Sequence, residues 1–352
     1  MKVSRIGLDL AKHIFQVHAV NEQEQVVLRR QLKRKEVLKF FATLDRVEHC
    51  VIGMESCCGS DYWAREFSQL GYQVRIMNPS FVKPYVKSNK NDARDAEAIC
   101  EAVSRPTMRF VPVKTVAQQD LLLLHRQREQ MIKRRTALAN QTRGMLMNYG
   151  IVMDKTLSKL RMTLPRLLDD ANPLLSPLAR QVFATQYDEL VHLDKALHAI
   201  DQTLDGIARQ RDDVQRLMRI PGIGPITATA FVAHLGEGRQ FKQGRQCSAY
   251  LGLVPAQYSS GGKEHLSGIS KRGNRYLRTL LIHGARSALT AAKHKIAAKG
   301  GGSRREQWIV DLEKRHHTNV AAVALANKNA RVAWVLLNRQ EDYREIDDRQ
   351  AA

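Results

Sequence analysis

Two aspartates, Asp92 and Asp95, lie three residues apart in the segment 90–97, Lys-Asn-Asp-Ala-Arg-Asp-Ala-Glu. If this segment is helical, both carboxylates lie on one face, one turn apart. Like charges this close repel each other, and a divalent cation would offset the repulsion because Mg²⁺ and Mn²⁺ prefer hard oxygen ligands. The alternative is a solvated helix face with an incidental acidic pair. The choice depends on whether other carboxylates can join the two.

Two further carboxylates lie at the ends of predicted strands. Asp9 lies near the end of the strand predicted at residues 3–10, and Glu55 ends the strand predicted at 49–55. A charged residue among apolar neighbours in a core strand costs free energy unless it has a function. If the two strands are adjacent, the aspartate pair can complete a set of four carboxylates that holds two metal ions about 4 Å apart, as in phosphoryl transfer. Capping or a buried salt bridge for each residue singly is the alternative.

The elements that must position these residues follow a recognisable order. Short apolar runs predict an antiparallel meander of three strands, followed by alternating helices and strands. The predicted elements are strands at 3–10, 14–20 and 26–32, a helix at 35–44, a strand at 49–55, a helix at 62–70 and a strand at 72–77. This order is that of an RNase H-like α/β domain.

The charge balance of the chain indicates the kind of partner. The 352 residues are enough for two or three domains, and 43% are hydrophobic, as in a globular protein. Lys and Arg number 56 against 35 Asp and Glu, for a net charge of +21. This excess favours a polyanionic partner, most simply nucleic acid. A ribosomal or architectural protein would share it, so charge does not define the chemistry.

The cysteines and the apolar segments indicate the compartment. The five cysteines are odd in number and form no C-x-x-C motif, so neither a zinc site nor a disulfide framework is expected. The N-terminus has no apolar signal-peptide core, and no run of 18 apolar residues occurs. We therefore expect an intracellular protein in a reducing compartment, with no membrane partner.

Residues 116–211 have a helical pattern that predicts a coiled-coil arm. Apolar residues recur every seven positions in a first helix, at Leu124, Met131, Leu138 and Met145. A break marked by Pro165, Pro173 and Pro177 precedes a second helix. The second helix has an a/d seam at Leu190, Leu193, Leu197, Ile200, Leu204 and Ile207. The seam could pack against the first helix or against a second copy of the chain.

Two features outside the acidic set predict contacts with a phosphate backbone. The arm is basic over residues 125–166, where Arg134 and Arg135 lie, although a solvated face is the alternative. The segment 220–225, Ile-Pro-Gly-Ile-Gly-Pro, precedes a predicted helix at 226–235 and resembles a helix-hairpin-helix. Gly222 and Gly224 would let backbone N–H groups approach a phosphate. A plain turn between two helices is the alternative.

A serine on a glycine-flanked loop is a candidate nucleophile. Ser259 and Ser260 lie in the string Ser-Ser-Gly-Gly-Lys at 259–263, and Gly261 and Gly262 would let the backbone pass close to a substrate. Nearby cations could neutralise a scissile phosphate and the charge that develops on it. These cations are Lys263, Lys271, Arg272 and Arg275. A flexible turn is the alternative for the string alone.

Taken together in chain order, these motifs resemble a known family. The motifs are Gly-Leu-Asp-Leu-Ala-Lys at 7–12, Met-Glu-Ser at 54–56, Lys-Asn-Asp-Ala-Arg-Asp-Ala at 90–96, Pro-Gly-Ile-Gly-Pro at 221–225, Ser-Ser-Gly at 259–261 and Ile-Ser-Lys-Arg-Gly-Asn at 269–274. The combination resembles the IS110/IS1111 family of insertion-sequence transposases, which is related to the Piv invertases. The similarity covers residues 3–340, nearly the whole chain.

The resemblance implies a domain organisation and a set of site residues. It implies a RuvC-like DEDD domain at 1–112, a coiled-coil arm at 113–212 and a mainly helical transposase domain at 213–345. Asp9, Glu55, Asp92 and Asp95 match the acidic set of the family one by one. The serine of the family lies in a Ser-Gly pair, which here is Ser260 followed by glycine, with Ser259 as the fallback. A structured guide RNA that bridges donor and target DNA is also implied, as is a bacterial, cytoplasmic, nucleoid-associated location.

The expected function is site-specific recombination of an insertion sequence. The carboxylates would hold Mg²⁺ or Mn²⁺ at the scissile phosphate, and Ser260 would attack to form a transient phosphoserine link. The acidic and serine sites could meet within one chain or across the protomers of a dimer or tetramer. Two alternatives stay open: a Holliday-junction nuclease that uses water, and a non-catalytic basic scaffold that binds nucleic acid.

Overall fold

The computed structural model describes residues 2–87, 92–169 and 174–344. The chain divides into two compact units, one up to Val116 and one from Ala117. The first unit is a mixed α/β structure, and the second is mostly helical. This agrees with the predicted combination of an α/β and an α part. The division into three domains at residues 112 and 212 stays a prediction.

The first unit is built on a six-stranded sheet with the order β3-β2-β1-β4-β5-β6. The strands are β1 (Val3–Asp9), β2 (Ile14–Val20), β3 (Val26–Lys33), β4 (Arg46–Glu55), β5 (Gln73–Met77) and β6 (Phe110–Val111). The first three form an antiparallel meander, as predicted. β1, β4 and β5 run parallel, and β6 is antiparallel at the edge. The two strands that carry Asp9 and Glu55 are therefore neighbours.

Helices cover the two faces of this sheet. They are α1 (Val37–Thr43), α2 (Ser60–Gln69), α3 (Pro79–Val82) and α4 (Asp92–Ala102), and a 3₁₀ turn at Arg34–Glu36 precedes α1. On one face Phe15, Phe41, Trp63 and Phe67 form a buried aromatic cluster with α1 and α2. On the other face α4 buries its apolar side, including Ile99, against the sheet.

Gly7 lets α4 lie directly on the sheet. A Cβ at residue 7 would overlap the carbonyl oxygen of Ala96 and lie 2.7 Å from Cβ of Cys100. The same face of β4 carries Gly53, where a Cβ would lie 2.8 Å from Cβ of Val103. Two strand positions without side chains therefore set the distance between α4 and the strands that carry the acidic residues.

Gly7→Ala is expected to destabilise the first unit by about 2 kcal/mol or more, since an overpacked core must shift backbone to make room. Gly53→Ala is the matched comparison, because its added methyl would meet a side chain rather than a backbone carbonyl. The measurement is urea unfolding followed by the fluorescence of Trp63, which is buried in this unit. An equal loss for the two variants would contradict the role of Gly7 as the point of closest approach.

The second unit contains nine helices and one two-stranded sheet within the described residues. The helices are α5 (Val116–Met147), α6 (Leu157–Leu167), α7 (Pro177–Gln210), α8 (Asp212–Met218), α9 (Pro225–Leu235), α10 (Gly244–Tyr250), α11 (Arg275–Lys299), α12 (Arg304–Arg315) and α13 (Thr318–Arg339). The strands β7 (Pro255–Gln257) and β8 (Leu266–Ile269) form a hairpin between α10 and α11. Helices α8 to α13 share one large core.

The seam of α7 is occupied within the chain. Leu190 and Leu193 of α7 pack with Leu138 of α5 and with Leu160 and Leu164 of α6. Further along α7, Leu204 belongs to a cluster with two leucines of α5. The intrachain packing is therefore present, and association with a second copy stays a prediction.

The proline-marked break differs from the expectation. Pro165 lies inside α6, and Pro177 is the first residue of α7, where its missing N–H costs no hydrogen bond. Pro173 lies outside the described residues. The connection between the two long helices of the arm therefore contains the short helix α6, whose leucines are buried against α5 and α7.

One described helix, α13, is long and apolar enough to cross a membrane by length and composition. Its apolar side chains, including Leu325, Trp334 and Leu337, are buried in the core of the second unit. Packing inside the unit accounts for its composition.

Candidate active site

Asp9 and Glu55 end neighbouring parallel strands. Leu8 is paired with Met54, so the next residues along β1 and β4 lie side by side at the carboxyl edge of the sheet. Side chains alternate along a strand, so Asp9 lies on the same face as Gly7, which is the face that α4 covers. The same alternation puts Glu55 on the face of Gly53. The predicted adjacency of the two strand ends is confirmed.

The pKa of the Cys57 thiol depends on the charges at this edge of the sheet. Burial raises the pKa of Cys57, and the negative charges of Asp9 and Glu55 raise it further. Both carboxylates therefore lie close enough to act on one sulfur atom. Two neighbouring carboxylates therefore give this edge of the sheet a local negative charge.

Helix α4 begins over the same edge. Cys100 Sγ lies 3.9 Å from the carbonyl oxygen of Arg5, and Ala96 lies against Gly7. Four helical residues and two strand residues both advance by about 6 Å, so the helix and β1 run past each other in step. One further step of the same length brings the start of α4, at Asp92, to the level of Asp9.

Asp95 lies one turn into α4 and is partly exposed, as a residue at the rim of the sheet would be. The side chain of Asp92 lies outside the described part of the structure. Within the described residues no group of three His, Cys, Asp or Glu side chains is arranged to hold a metal ion. Asp9 and Glu55 nevertheless supply carboxylate oxygens, which are the ligands that Mg²⁺ and Mn²⁺ take, so the residues present fit a hard divalent cation.

Ser260 lies at the tip of the hairpin formed by β7 and β8. Gly261 and Gly262 have φ angles of 58° and 75°, the left-handed pair that a two-residue type I′ turn requires. Ser260 and Lys263 flank the turn and are bridged, with the Lys263 N–H donating to the Ser260 carbonyl at 3.1 Å. A side chain at either glycine would meet open space. The tip of this hairpin therefore projects into solvent.

The register of the hairpin separates its side chains into two faces. Tyr258 N–H donates to the His265 carbonyl at 3.0 Å, so these two residues are paired just as Ser260 and Lys263 are. Because side chains alternate, one face carries Tyr258, Ser260, Lys263 and His265. The opposite face carries Gln257, Ser259, Glu264 and Leu266.

The two serines consequently have different surroundings. The Ser259 hydroxyl accepts hydrogen bonds from Gln257 Nε2 at 2.9 Å and from the His265 N–H at 3.4 Å, and it shares its face with Glu264. Ser260 is exposed beside Lys263. A phosphate would be repelled on the side of Ser259 and attracted on the side of Ser260.

Tyr258 and His265 are candidate site residues that the sequence interpretation missed. The available signal was the Gly-Gly pair, since Gly-Gly between two strand segments is typical of a two-residue hairpin turn. That turn would have paired Ser260 with Lys263 and Tyr258 with His265.

The loop that carries Lys271 and Arg272 is tightly held against the preceding segment. Lys271 has a φ of 54°, a left-handed conformation that is uncommon for a residue with a side chain. Buried Arg278 donates to the carbonyl oxygens of Arg272 at 2.8 Å and Leu251 at 3.1 Å. A Cβ at Gly252 would lie 2.7 Å from the backbone nitrogen of Arg272. The side chains of Lys271 and Arg272 are exposed on this braced loop.

Arg275 begins α11 beside a polar network centred on His125 of α5. The His125 ring contacts the Tyr276 hydroxyl through Nδ1 and the Thr229 hydroxyl through Nε2, each at 3.1 Å. Thr229 donates its own proton to the Pro225 carbonyl at 2.7 Å, so His125 carries a proton on Nε2 and accepts from Tyr276. A cavity of about 330 Å³ beside the network is lined by His125, Arg275 and Tyr276.

Stability is expected to fall on acidification through His125. Burial, then the charges of His234 and Arg128, lower the pKa of His125 to about 4. In the unfolded chain the pKa of this histidine is near 6.5. The stabilisation that comes from keeping His125 neutral is therefore fully present above that pH and is lost as pH falls towards 4. The loss is about 3 kcal/mol at most. Urea unfolding of wild type and His125→Gln between these pH values, followed by Trp308 and Trp334, should show a smaller pH dependence for the variant; equal dependence would contradict the assignment.

The two glycines of the helix-hairpin-helix-like segment have different surroundings. Gly222 has a φ of 90°, and a Cβ there would lie 2.6 Å from the Gly284 carbonyl of α11. This close packing accounts for glycine at 222. Gly224 caps α9 with nothing near its missing side chain, so its surface is open to a ligand. Phosphate contacts at both positions stay predictions.

The arm arginines also divide into two kinds. Arg135 donates to Asp194 of α7 at 3.0 Å, and both side chains are about three-quarters buried. Arg134 lies 3.4 Å from Glu189, with both side chains about half exposed. Arg135 thus cross-links the arm, whereas Arg134 keeps a surface that a phosphate can reach.

Arg135→Ala is expected to lower the free energy of unfolding of the second unit by about 1 kcal/mol, because Asp194 loses a partly buried partner. Arg134→Ala should leave stability within about 0.5 kcal/mol of wild type and weaken DNA binding, with a salt slope smaller by about one. Urea unfolding and DNA-binding titrations at several salt concentrations measure the two effects. The reverse pattern would assign the roles the other way.

Comparison with known proteins defines the class. A family model described as a transposase, of the DEDD IS110 type, matches residues 6–151, and the model of the transposase IS116/IS110/IS902 family matches residues 214–299. The first match contains Asp9, Glu55, Asp92 and Asp95, and the second contains Ser260. The protein is therefore a DNA-modifying enzyme of the transposase class. The two matches cover the α/β unit and the hairpin that carries Ser260.

Full-length relatives agree with these matches. A probable family 20 transposase of Pseudomonas aeruginosa is 47% identical over 98% of this chain and 99% of its own length. The transposase for insertion sequence element IS1111A of Coxiella burnetii is 44% identical over 96% of this chain and 91% of its own. The transposase for insertion sequence element IS1328 of Yersinia enterocolitica is 39% identical over 95% and 96%. The chain belongs to the IS110/IS1111 family of insertion-sequence transposases.

Proposed function

We propose that this transposase is a metal-dependent, site-specific DNA recombinase that cuts DNA with a serine nucleophile. The observation that carries the proposal is the placement of Asp9 and Glu55 at the ends of paired parallel strands, with α4 beginning above them. The first unit is assigned an RNase H-like, RuvC-like fold. The strand order and the antiparallel meander followed by parallel strands support this assignment.

Asp9, Glu55, Asp92 and Asp95 would hold Mg²⁺ or Mn²⁺. Such a cation would supply charge neutralisation at the scissile phosphate and would favour a deprotonated nucleophile. Asp9 and Glu55 are positioned by the hydrogen-bonded pair of β1 and β4, and Gly7 and Gly53 allow α4 to lie close above them. Asp92 and Asp95 lie three residues apart at the start of α4.

Ser260 is the nucleophile in the proposed reaction. Its Oγ forms a bond to the phosphorus, the bond from phosphorus to one deoxyribose oxygen breaks, and that oxygen leaves as a hydroxyl with a proton. The phosphoserine link keeps the energy of the broken ester bond, so a hydroxyl of the partner strand can displace the serine without ATP. Lys263 on the same hairpin face would stabilise the charge on the phosphate oxygens.

Apart from Lys263, the basic residues would serve binding. The net charge of +21 suits a complex with donor DNA, target DNA and a structured guide RNA, although the RNA partner is supported by the family resemblance alone. Gly224, Arg134, Lys271, Arg272 and Arg275 are the proposed phosphate contacts. Assembly as a dimer or tetramer would allow the acidic and serine sites to meet across protomers.

The test uses purified full-length protein, RNA transcribed from the flanks of the element and end-labelled donor DNA. A metal-dependent protein–DNA adduct that resists denaturation is expected. Cleavage without an adduct would replace the serine mechanism with the water-using nuclease. Binding without cleavage at any Mg²⁺ or Mn²⁺ concentration would leave a nucleic-acid-binding scaffold.

A further inference from the structure

Tyr258 is exposed to an unusual degree for an aromatic residue. The residue is 75% exposed, whereas the other exposed aromatics in the described part of the chain, Tyr62, Phe81, Tyr149 and Tyr250, lie between 42% and 44%. The hairpin that carries it is exposed over residues 258–268, so no core explains the ring. A single exposed ring is common on protein surfaces, and its position must decide whether it has a function.

The position of Tyr258 is defined by the register of the hairpin. Tyr258 and Ser260 are two residues apart on the same face, about 7 Å along the strand. This is close to the distance that separates the phosphate of a nucleotide from its own base. His265 is paired directly with Tyr258 across the hairpin, so a second flat ring extends the surface.

The charges on the two faces favour the same side. Lys263 lies on the face of Tyr258 and Ser260, and Glu264 lies on the other face. A DNA strand attracted by Lys263 would run along the hairpin face that carries Tyr258. Its phosphate would lie at Ser260 and an adjacent base would lie over the ring.

We propose that Tyr258, with His265 beside it, is a stacking platform for the nucleobase next to the phosphate that Ser260 attacks. Every base has a π-face, so such a platform binds an unpaired base with little sequence preference. The proposal rests on the proposed function and specifies its substrate: the strand is unpaired at the point of attack. Tyr258 would act by holding the strand in register, so that one phosphodiester and not its neighbour faces the serine.

Photo-crosslinking locates the contact directly. Full-length protein is bound to oligothymidylate in which one thymine is replaced by 5-iodouracil, irradiated, digested with trypsin and analysed by mass spectrometry. The crosslink is expected on Tyr258, in the peptide of residues 246–263, or on His265, in the adjoining peptide 264–271. Crosslinks found only on other residues, including Tyr250 of the first peptide, would overturn the proposal.

Binding measurements separate stacking from charge. Anisotropy titrations compare fluorescein-labelled oligothymidylate with an abasic oligomer of the same phosphate number. Tyr258→Ala should weaken binding of the base-bearing strand about fivefold or more and leave the abasic strand unchanged, whereas Tyr258→Phe should retain wild-type binding. Tyr149→Ala, at an exposed aromatic of the arm, is the matched control and should change neither. Equal effects of Tyr258→Ala on both strands, or none, would overturn the platform.

Ser260→Ala separates this proposal from the proposed function. Its hydroxyl is not needed for stacking, so the variant should keep both the crosslink and the preference for base-bearing DNA. If the crosslink stands and no covalent adduct ever forms, only the serine mechanism fails. If the adduct forms and the crosslink lies elsewhere, only the platform fails.

Discussion

Replacing Asp9 by asparagine is expected to abolish DNA strand cleavage, by about 10³-fold or more, while most DNA binding persists. The amide keeps the shape of the side chain and removes the negative charge at the end of β1. Glu55→Gln should have the same effect, because the two side chains lie side by side on the face that α4 covers. Binding should survive because the affinity comes from the excess of Lys and Arg, to which neither carboxylate contributes.

Glu48→Gln is the matched control for this experiment. Glu48 lies on β4 as Glu55 does, but it is exposed in the first half of the strand. The charge change and the strand are the same, and only the position differs. Cleavage is measured on labelled donor DNA across a titration of Mg²⁺ and Mn²⁺, and binding by gel shift. Full activity in Asp9→Asn, or a loss in Glu48→Gln as large as that in Glu55→Gln, would contradict the assignment of the acidic site.

Ser260→Ala should remove the covalent protein–DNA adduct completely and reduce strand exchange by about 10³-fold or more, because no other group replaces the attacking oxygen. DNA binding should change little, since the hydroxyl carries no charge. Denaturing gels with labelled donor DNA measure the adduct, and mass spectrometry of the digested adduct identifies the modified residue.

Ser259→Ala provides the control one residue away. The Ser259 hydroxyl is engaged by Gln257 and by the His265 backbone, on the hairpin face that carries Glu264. Removing this hydroxyl should leave the covalent adduct. It should lower the rate of adduct formation only to the extent that losing these hydrogen bonds destabilises the hairpin. An adduct that survives in Ser260→Ala and disappears in Ser259→Ala would move the nucleophile to the other face of the hairpin.

Several features of this protein could be predicted from local sequence. Strand and helix periods placed the meander and the helices of the first unit, and the charge excess indicated nucleic acid. The ends of the runs at 3–10 and 49–55 identified Asp9 and Glu55 as carboxylates that a core strand would not otherwise tolerate. The Ser-Ser-Gly-Gly string indicated a loop with a candidate serine nucleophile. Each of these signals is contained in a window of a few residues, where hydrophobic period, turn chemistry and the cost of a buried charge act directly.

Other features depended on which surfaces meet. The heptad seam of α7 is equally suited to a partner helix of its own chain or of another, and the leucines of α5 and α6 decide the matter within this chain. Gly222 has a sequence context typical of phosphate binding, yet its missing side chain makes room for Gly284, a residue 62 positions away. Arg135 belongs to a basic run, but it is directed at Asp194.

What the sequence by itself determined is therefore the family, the mixed α/β and helical composition, and the short list of groups able to do chemistry. Only the tertiary structure decided their sides and neighbours: Asp9 and Glu55 on one face beneath α4, Ser260 with Lys263 and Tyr258 apart from Ser259 and Glu264, and Arg134 apart from Arg135. The reason is physical. Residue type and local period are encoded along the chain, whereas the face that a side chain occupies and the charge opposite it depend on strand register and helix packing between distant segments.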